Sequence, residues 1–195
     1  MKKIGLNIII GLLTIASLNA QETLSDKEES LLMPKHIVKV FPLDLLYGGF
    51  AVGYERVIKP KTSLNFELFQ GFGKPEFENS ISEKSYRLYF ETSVRRYISK
   101  QKKAPEGWFL SGGLITQYDY DKLKNKTSSL ITNRERLRFG ASGRTGYQWL
   151  FKKGLKGFTA EVIGGFDFRT VSGLFDGGGS TGYNITLNAT IGYSW

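Results

Sequence analysis

From Leu137 to Phe151 the chain keeps a strict two-residue period. Leu137, Phe139, Ala141, Gly143, Thr145, Tyr147, Trp149 and Phe151 alternate with Arg138, Gly140, Ser142, Arg144, Gly146 and Gln148. Successive side chains of a strand point to opposite faces, so such a run is a strand with one apolar and one polar face. The pattern recurs. Phe158, Ala160, Val162, Gly164, Phe166 and Phe168 alternate with Thr159, Glu161, Ile163, Gly165, Asp167 and Arg169, and Leu88, Phe90, Thr92 and Val94 with Arg87, Tyr89, Glu91, Ser93 and Arg95. The chain closes on another example, where Tyr183, Ile185, Leu187, Ala189, Ile191, Tyr193 and Trp195 face away from Asn184, Thr186, Asn188, Thr190, Gly192 and Ser194. Eight such segments are expected, at 36–46, 49–58, 63–72, 84–98, 107–120, 135–151, 157–170 and 182–195. Pro42 cannot donate a ladder hydrogen bond, so the first should carry a bulge or an irregular start. The fold class is all-β, a single eight-stranded antiparallel barrel in meander order.

Residues 1–20 read as an export signal. Lys2 and Lys3 precede the apolar run "IGLNIIIGLLTIA", and "SLNA" leads to a cut after Ala20. That run is short for a membrane-spanning helix of about 20 residues. A polar leader follows at 21–35, and the barrel occupies 36–195. With no Cys in the chain, lipid attachment through Cys, disulfides and thiolate metal sites are excluded. The formal net charge is +9, but Lys and Arg scatter along the segments without forming one patch. Nucleic acid is therefore not an expected partner.

Periodicity alone does not say which face is inside. A soluble barrel would bury its apolar face, whereas a membrane barrel turns it to lipid and keeps polar residues within. Two features favour the second. If the N-terminus lies in the periplasm, the periplasmic connections "IKPKTS", "SKQKKAPEG" and "KKGLKG" are compact. The outer ones, "GFGKPEFENSISEK", "DKLKNKTSSLITNRE" and "SGLFDGGGSTG", are longer, as outer-membrane barrels have them. The tight connection at Gly48 and Gly49 is an exception. Trp108, Trp149 and Trp195 also all fall at the periplasmic rim on outward positions, as an interfacial aromatic girdle requires. The expected location is the outer membrane of a Gram-negative bacterium, with lipid and lipopolysaccharide as surroundings.

The inward row then holds Glu55, Glu67, Arg87, Glu91, Arg95, Arg138, Arg144, Glu161, Asp167 and Arg169, five arginines for five carboxylates. An Arg on the outside would cost about 2–4 kcal/mol at the bilayer midplane. Inside, it can be matched to a carboxylate. A turn at Lys152–Lys153–Gly154 and onward would place Glu161 diagonal to Arg144, and Asp167 diagonal to Arg138. Glu55 and Glu67 come out nearly opposite, which is repulsive unless an Arg or Lys39 reaches them. An eight-stranded barrel is just wide enough for such side chains to fill it.

Little points to chemistry. The single His, His36, opens the first segment on the periplasmic side, with no Ser or Asp arranged beside it at the outer rim. A lone His has no partners spaced for a metal site. "FDGGGSTG" has glycines but no Lys-Ser/Thr at a helix start, so it is read as a flexible loop and not as a phosphate cradle. Lys122, Lys124, Lys126 and Arg134 form a basic loop that could touch lipopolysaccharide phosphates. No catalytic residue, cofactor or metal is expected.

The stretch "FPLDLLYGGFAVGYERVIKPKTSLNFEL", with "KKAPEGWFLSGGL" and "GRTGYQWLF", resembles a family of exported outer-membrane barrels of Bacteroidetes-type bacteria. That family is described chiefly as a domain of unknown function. Gly53–Arg56, Ala104–Gly107 and Gly146–Gln148 carry the likeness. It implies the fold and the location, in architecture like the small outer-membrane proteins A and X, and carries over no catalytic residue.

The expectation is thus a plugged, monomeric, non-enzymatic envelope barrel that binds through its outer loops or serves envelope structure. The alternatives are a narrow channel for small solutes and a soluble periplasmic ligand-binding barrel. The aromatic end of the last segment resembles the signal read by the barrel assembly machinery. Deleting Trp195 should therefore lower the inserted fraction, read by membrane fractionation, more than an equally large change in "FDGGGSTG".

Overall fold

The structure is a computed structural model that describes residues 34–46, 48–73, 76–77, 80–125, 131–152, 154–172 and 181–195. The expected export signal, most of the expected leader, Lys126 and most of the "FDGGGSTG" stretch lie outside the described residues. Ten elements follow in order: β1 (His36–Val40), α1 (Pro42–Leu46), β2 (Gly49–Lys59), β3 (Thr62–Gly73), β4 (Glu76–Phe77), β5 (Ser80–Tyr97), β6 (Gly107–Asn125), β7 (Ile131–Leu150), β8 (Phe158–Ser172) and β9 (Thr181–Ser194). The sheet runs β3-β2-β1-β9-β8-β7-β6-β5, and β3 pairs with β5 to close it. Every pairing is antiparallel. The two-residue β4 only folds back on the end of β5. This is the expected eight-stranded meander barrel.

The period-two pattern sorts the faces as the alternation requires. Outward side chains such as Leu114 (68 %), Phe166 (62 %) and Ile185 (88 %) are exposed, whereas Glu55 and Asp167 (0 %) and Arg95 (1 %) are buried. The distribution inverts that of a water-soluble barrel, with the charges inside and the aliphatic and aromatic rows outside. A small apolar cluster of Tyr97, Ala104, Phe109 and Ile163 seals the end that carries β1's start, here the terminal end.

Two expectations about elements are corrected. The first segment does not continue as a strand to residue 46. It ends at Val40, and Pro42 begins the single turn α1, because Pro cannot donate to a ladder but is accommodated in a helix's first turn. The long connection at 121–135 is also mostly strand. β6 and β7 stay in register up to Lys124↔Ile131, because Tyr118 and Tyr120 continue to alternate with Asp119 and Asp121. Lys122 and Arg134 therefore lie on a paired extension of the wall.

β1 meets β9 at four positions, Ile37↔Ser194 to Val40↔Ile191. Beyond them α1 takes over. Asn188 donates through Nδ2 to Asp44 Oδ1 (3.1 Å) and accepts the backbone N–H of Ala189 on Oδ1 (2.8 Å). One side chain thus fastens the helix and occupies a strand-edge donor that β1 does not reach.

Candidate functional site: the ionic lumen

The inward rows meet in three layers along the barrel axis. Nearest the terminal end, Lys39 of β1 donates through Nζ to Glu55 Oε2 (2.6 Å), Gln148 Oε1 (2.7 Å) and Glu161 Oε2 (2.5 Å). Arg95 of β5 meets Glu161 Oε2 at 2.7 Å and Glu55 Oε2 at 3.4 Å. Tyr97 donates to the other Glu55 oxygen at 2.6 Å, and the Arg95 guanidinium lies 4.5 Å from the centre of the Phe109 ring. Two cations face two carboxylates, all of them buried. Charges out of water are tolerated only when so matched and hydrogen-bonded.

The middle layer is built around Arg144. Glu67 of β3 and Glu91 of β5 stand directly opposite in register, a destabilising pair of like charges. Arg144 reaches across the lumen to both, ion-pairing with Glu91 and lying 3.4 Å from Glu67 Oε2. It also donates to Tyr89 Oη (2.7 Å) and lies 3.5 Å from Asp167. Gly165, its register partner on β8, leaves the space: a Cβ there would come within 2.9 Å of Arg144 Cγ and 2.3 Å of the Gly143 carbonyl. Arg169 completes the layer through Asp167 (2.6 Å) and Gln117, stacked 5.1 Å over Tyr89.

The third layer opens toward the far end. Asp119 accepts from Arg87 Nε at 3.0 Å and lies 3.1 Å from Arg138 Nε as an ion pair, and Arg136 meets Asp121 at 2.6 Å. Here the arginines reach water, and the Arg87 side chain is 56 % exposed.

The expected pairings Arg144–Glu161 and Arg138–Asp167 are corrected. The β7–β8 register sets Gln148 opposite Glu161, Ser142 opposite Asp167 and Arg144 opposite Gly165, which the length of the connection alone does not determine. Glu161 therefore lies four residues along from Arg144's own partner, and the ions pair across the lumen. Glu55 does not oppose Glu67, whose β2 partner is Gly53, and Lys39 and Arg95 neutralise Glu55. Sequence reasoning left out Asp119, Asp121 and Arg136. Asp119 and Arg136 already lay on alternating positions of the expected strands, and the signal for Asp121 was the continued alternation of "QYDYDK" past residue 120, where the strand was expected to end.

Trp108 and Trp149 stand together at the terminal end of β6 and β7 with Tyr147 between them, at ring-centre distances of 5.4 and 4.6 Å. Both tryptophans are exposed on the outer face. Trp195 follows directly after β9. His36 Nδ1 lies 2.7 Å from Tyr54 Oη on the outer face of β1. Among the described residues, no three of His, Cys, Asp or Glu are placed to hold a metal ion. In comparisons with known proteins, no family model, no curated protein and no solved structure matches the chain.

Proposed function

We propose that this chain is an integral outer-membrane β-barrel protein, non-enzymatic, with an ion-paired lumen that acts as a structural plug. Its role is envelope structure or binding through the far-end hairpins. We assign it to the family of Bacteroidetes-type barrels that its Gly53–Arg56, Ala104–Gly107 and Gly146–Gln148 stretches resemble. One observation carries the reading: the wall is apolar outside and polar inside, with buried charges on most strands and uncharged Asn, Thr and Ser on β9. In water that arrangement would expose a continuous belt of Leu, Ile, Phe and Trp, far beyond the few hundred Å² of apolar patch usual on a soluble monomer. In a bilayer the same belt is solvated by lipid, and closure of the sheet pairs the backbone groups along its ladders.

The test is membrane fractionation combined with gel mobility before and after boiling. The expected result is recovery in the outer-membrane fraction with a band that shifts on heating. Recovery in the soluble fraction without detergent would favour a periplasmic ligand-binding barrel.

A further inference from the structure

We propose that the groove on the outer wall between Trp108 and Trp149 binds one anionic glycerophospholipid of the leaflet at the terminal end. This rests on the membrane reading above. The groove has a volume of about 560 Å³ and is lined by Trp108, Thr145, Tyr147, Trp149, Val162 and Gly164. Its walls are aromatic, and Gly164 keeps its floor free of side chain. Thr145 spends its hydroxyl on the Phe109 carbonyl (3.1 Å), which keeps the lining apolar and suited to an acyl chain.

The polar end of the groove is cationic. Lys102 donates to Tyr147 Oη (2.7 Å) and lies over the same ring, 5.3 Å from its centre. Lys102 also meets Glu106 Oε1 at 2.7 Å, and Lys152 meets Oε2 at 3.0 Å. Burial alone would push the Glu106 carboxyl up, but the hydrogen bonds from Lys102 and Lys152 outweigh it and hold it below the ordinary range. The Lys102 ammonium is held above its ordinary value by its bonds to Glu106 and Tyr147. Two cations on one carboxylate leave a net positive charge next to an apolar trough. Both lysine side chains keep exposed surface toward the headgroup level.

The rest of this end has the same sign. Among the described residues of 59–62, 98–106 and 151–157, seven lysines accompany one acid, Glu106. A second protein copy would have to bury that charge, whereas a lipid phosphate complements it. Basic pockets at membrane faces bind anionic headgroups by this logic.

The test is tryptophan quenching in vesicles of unbrominated phosphatidylcholine. Brominated phosphatidylglycerol is compared with brominated phosphatidylcholine at equal, low mole fraction. Trp195→Phe leaves Trp108 and Trp149 as the only emitters. The expected result is an enrichment of the anionic lipid at these two residues of about fivefold, as for one net charge near the surface. Lys102→Gln with Lys152→Gln should abolish it, and Lys35→Gln, at the same end on β1's side, should keep it. Equal quenching by both lipids would overturn the site while leaving the membrane reading intact. So would a preference that survives the double lysine change. Quenching by neither lipid would overturn the membrane reading itself.

Discussion

Arg95→Met is expected to lower the unfolding free energy of the refolded protein by about 3–5 kcal/mol, the usual cost of leaving a buried charge without its partner. The reason is geometric. Arg95 is 1 % exposed and holds Glu161 at 2.7 Å while sharing Glu55 with Lys39. Removing it leaves Lys39 alone to match two buried carboxylates. Urea titration in lipid vesicles measures the effect. A double-mutant cycle with Glu161→Gln should show that the two losses do not add, because the second change relieves the charge stranded by the first. Arg87 is the internal control: its pair with Asp119 is half in water, and Arg87→Met should cost less than ~1 kcal/mol. If Arg95 and Arg87 gave equal losses, the near layer would not be the structural plug described above.

A planar bilayer carrying the wild-type protein is expected to show no steady, large openings. Lys39, Glu55, Arg95, Gln148 and Glu161 come from β1, β2, β5, β7 and β8 and meet on shared oxygens across the lumen near its terminal end. A hydrated ion would have to separate contacts of 2.5–2.7 Å between opposite charges to pass. Discrete, large, long-lived steps would sink the plug and favour the narrow-channel alternative.

Much of the architecture was legible because period two is a local property. Eight alternating runs, each long enough to form part of a wall, leave few folds besides a meander barrel, and the alternation of Arg138 with Phe139 already divides one face from the other. The partners of the ions were less legible. A register depends on where a turn closes, and "FKKGLKGF" offers two glycines, Gly154 and Gly157, both at positive φ. A shift of a few residues in that closure is enough to move Glu161 relative to Arg144, which faces Gly165. Contacts across a lumen depend on curvature as well as register, which no single hairpin reveals. The bridge from Arg144 to Glu67 and Glu91 joins strands far apart in the sequence. The helix at Pro42 was half visible: the missing donor was plain, but not the fact that "PLDLL" would coil and reach Asn188.

That short coil sets the mechanical character of the ring. β8 and β9 share a ladder from Phe158↔Tyr193 to Thr170↔Thr181, whereas β1 holds β9 only from Ile37 to Val40. The circumference is therefore stitched unevenly, with one joint secured by a few main-chain bonds and the amide of Asn188. Under load or heat the wall is expected to part at β1 first, which holds β9 at four register positions and β2 at five. Every other hairpin stays paired, so the chain can unroll into a continuous ribbon and roll up again from it.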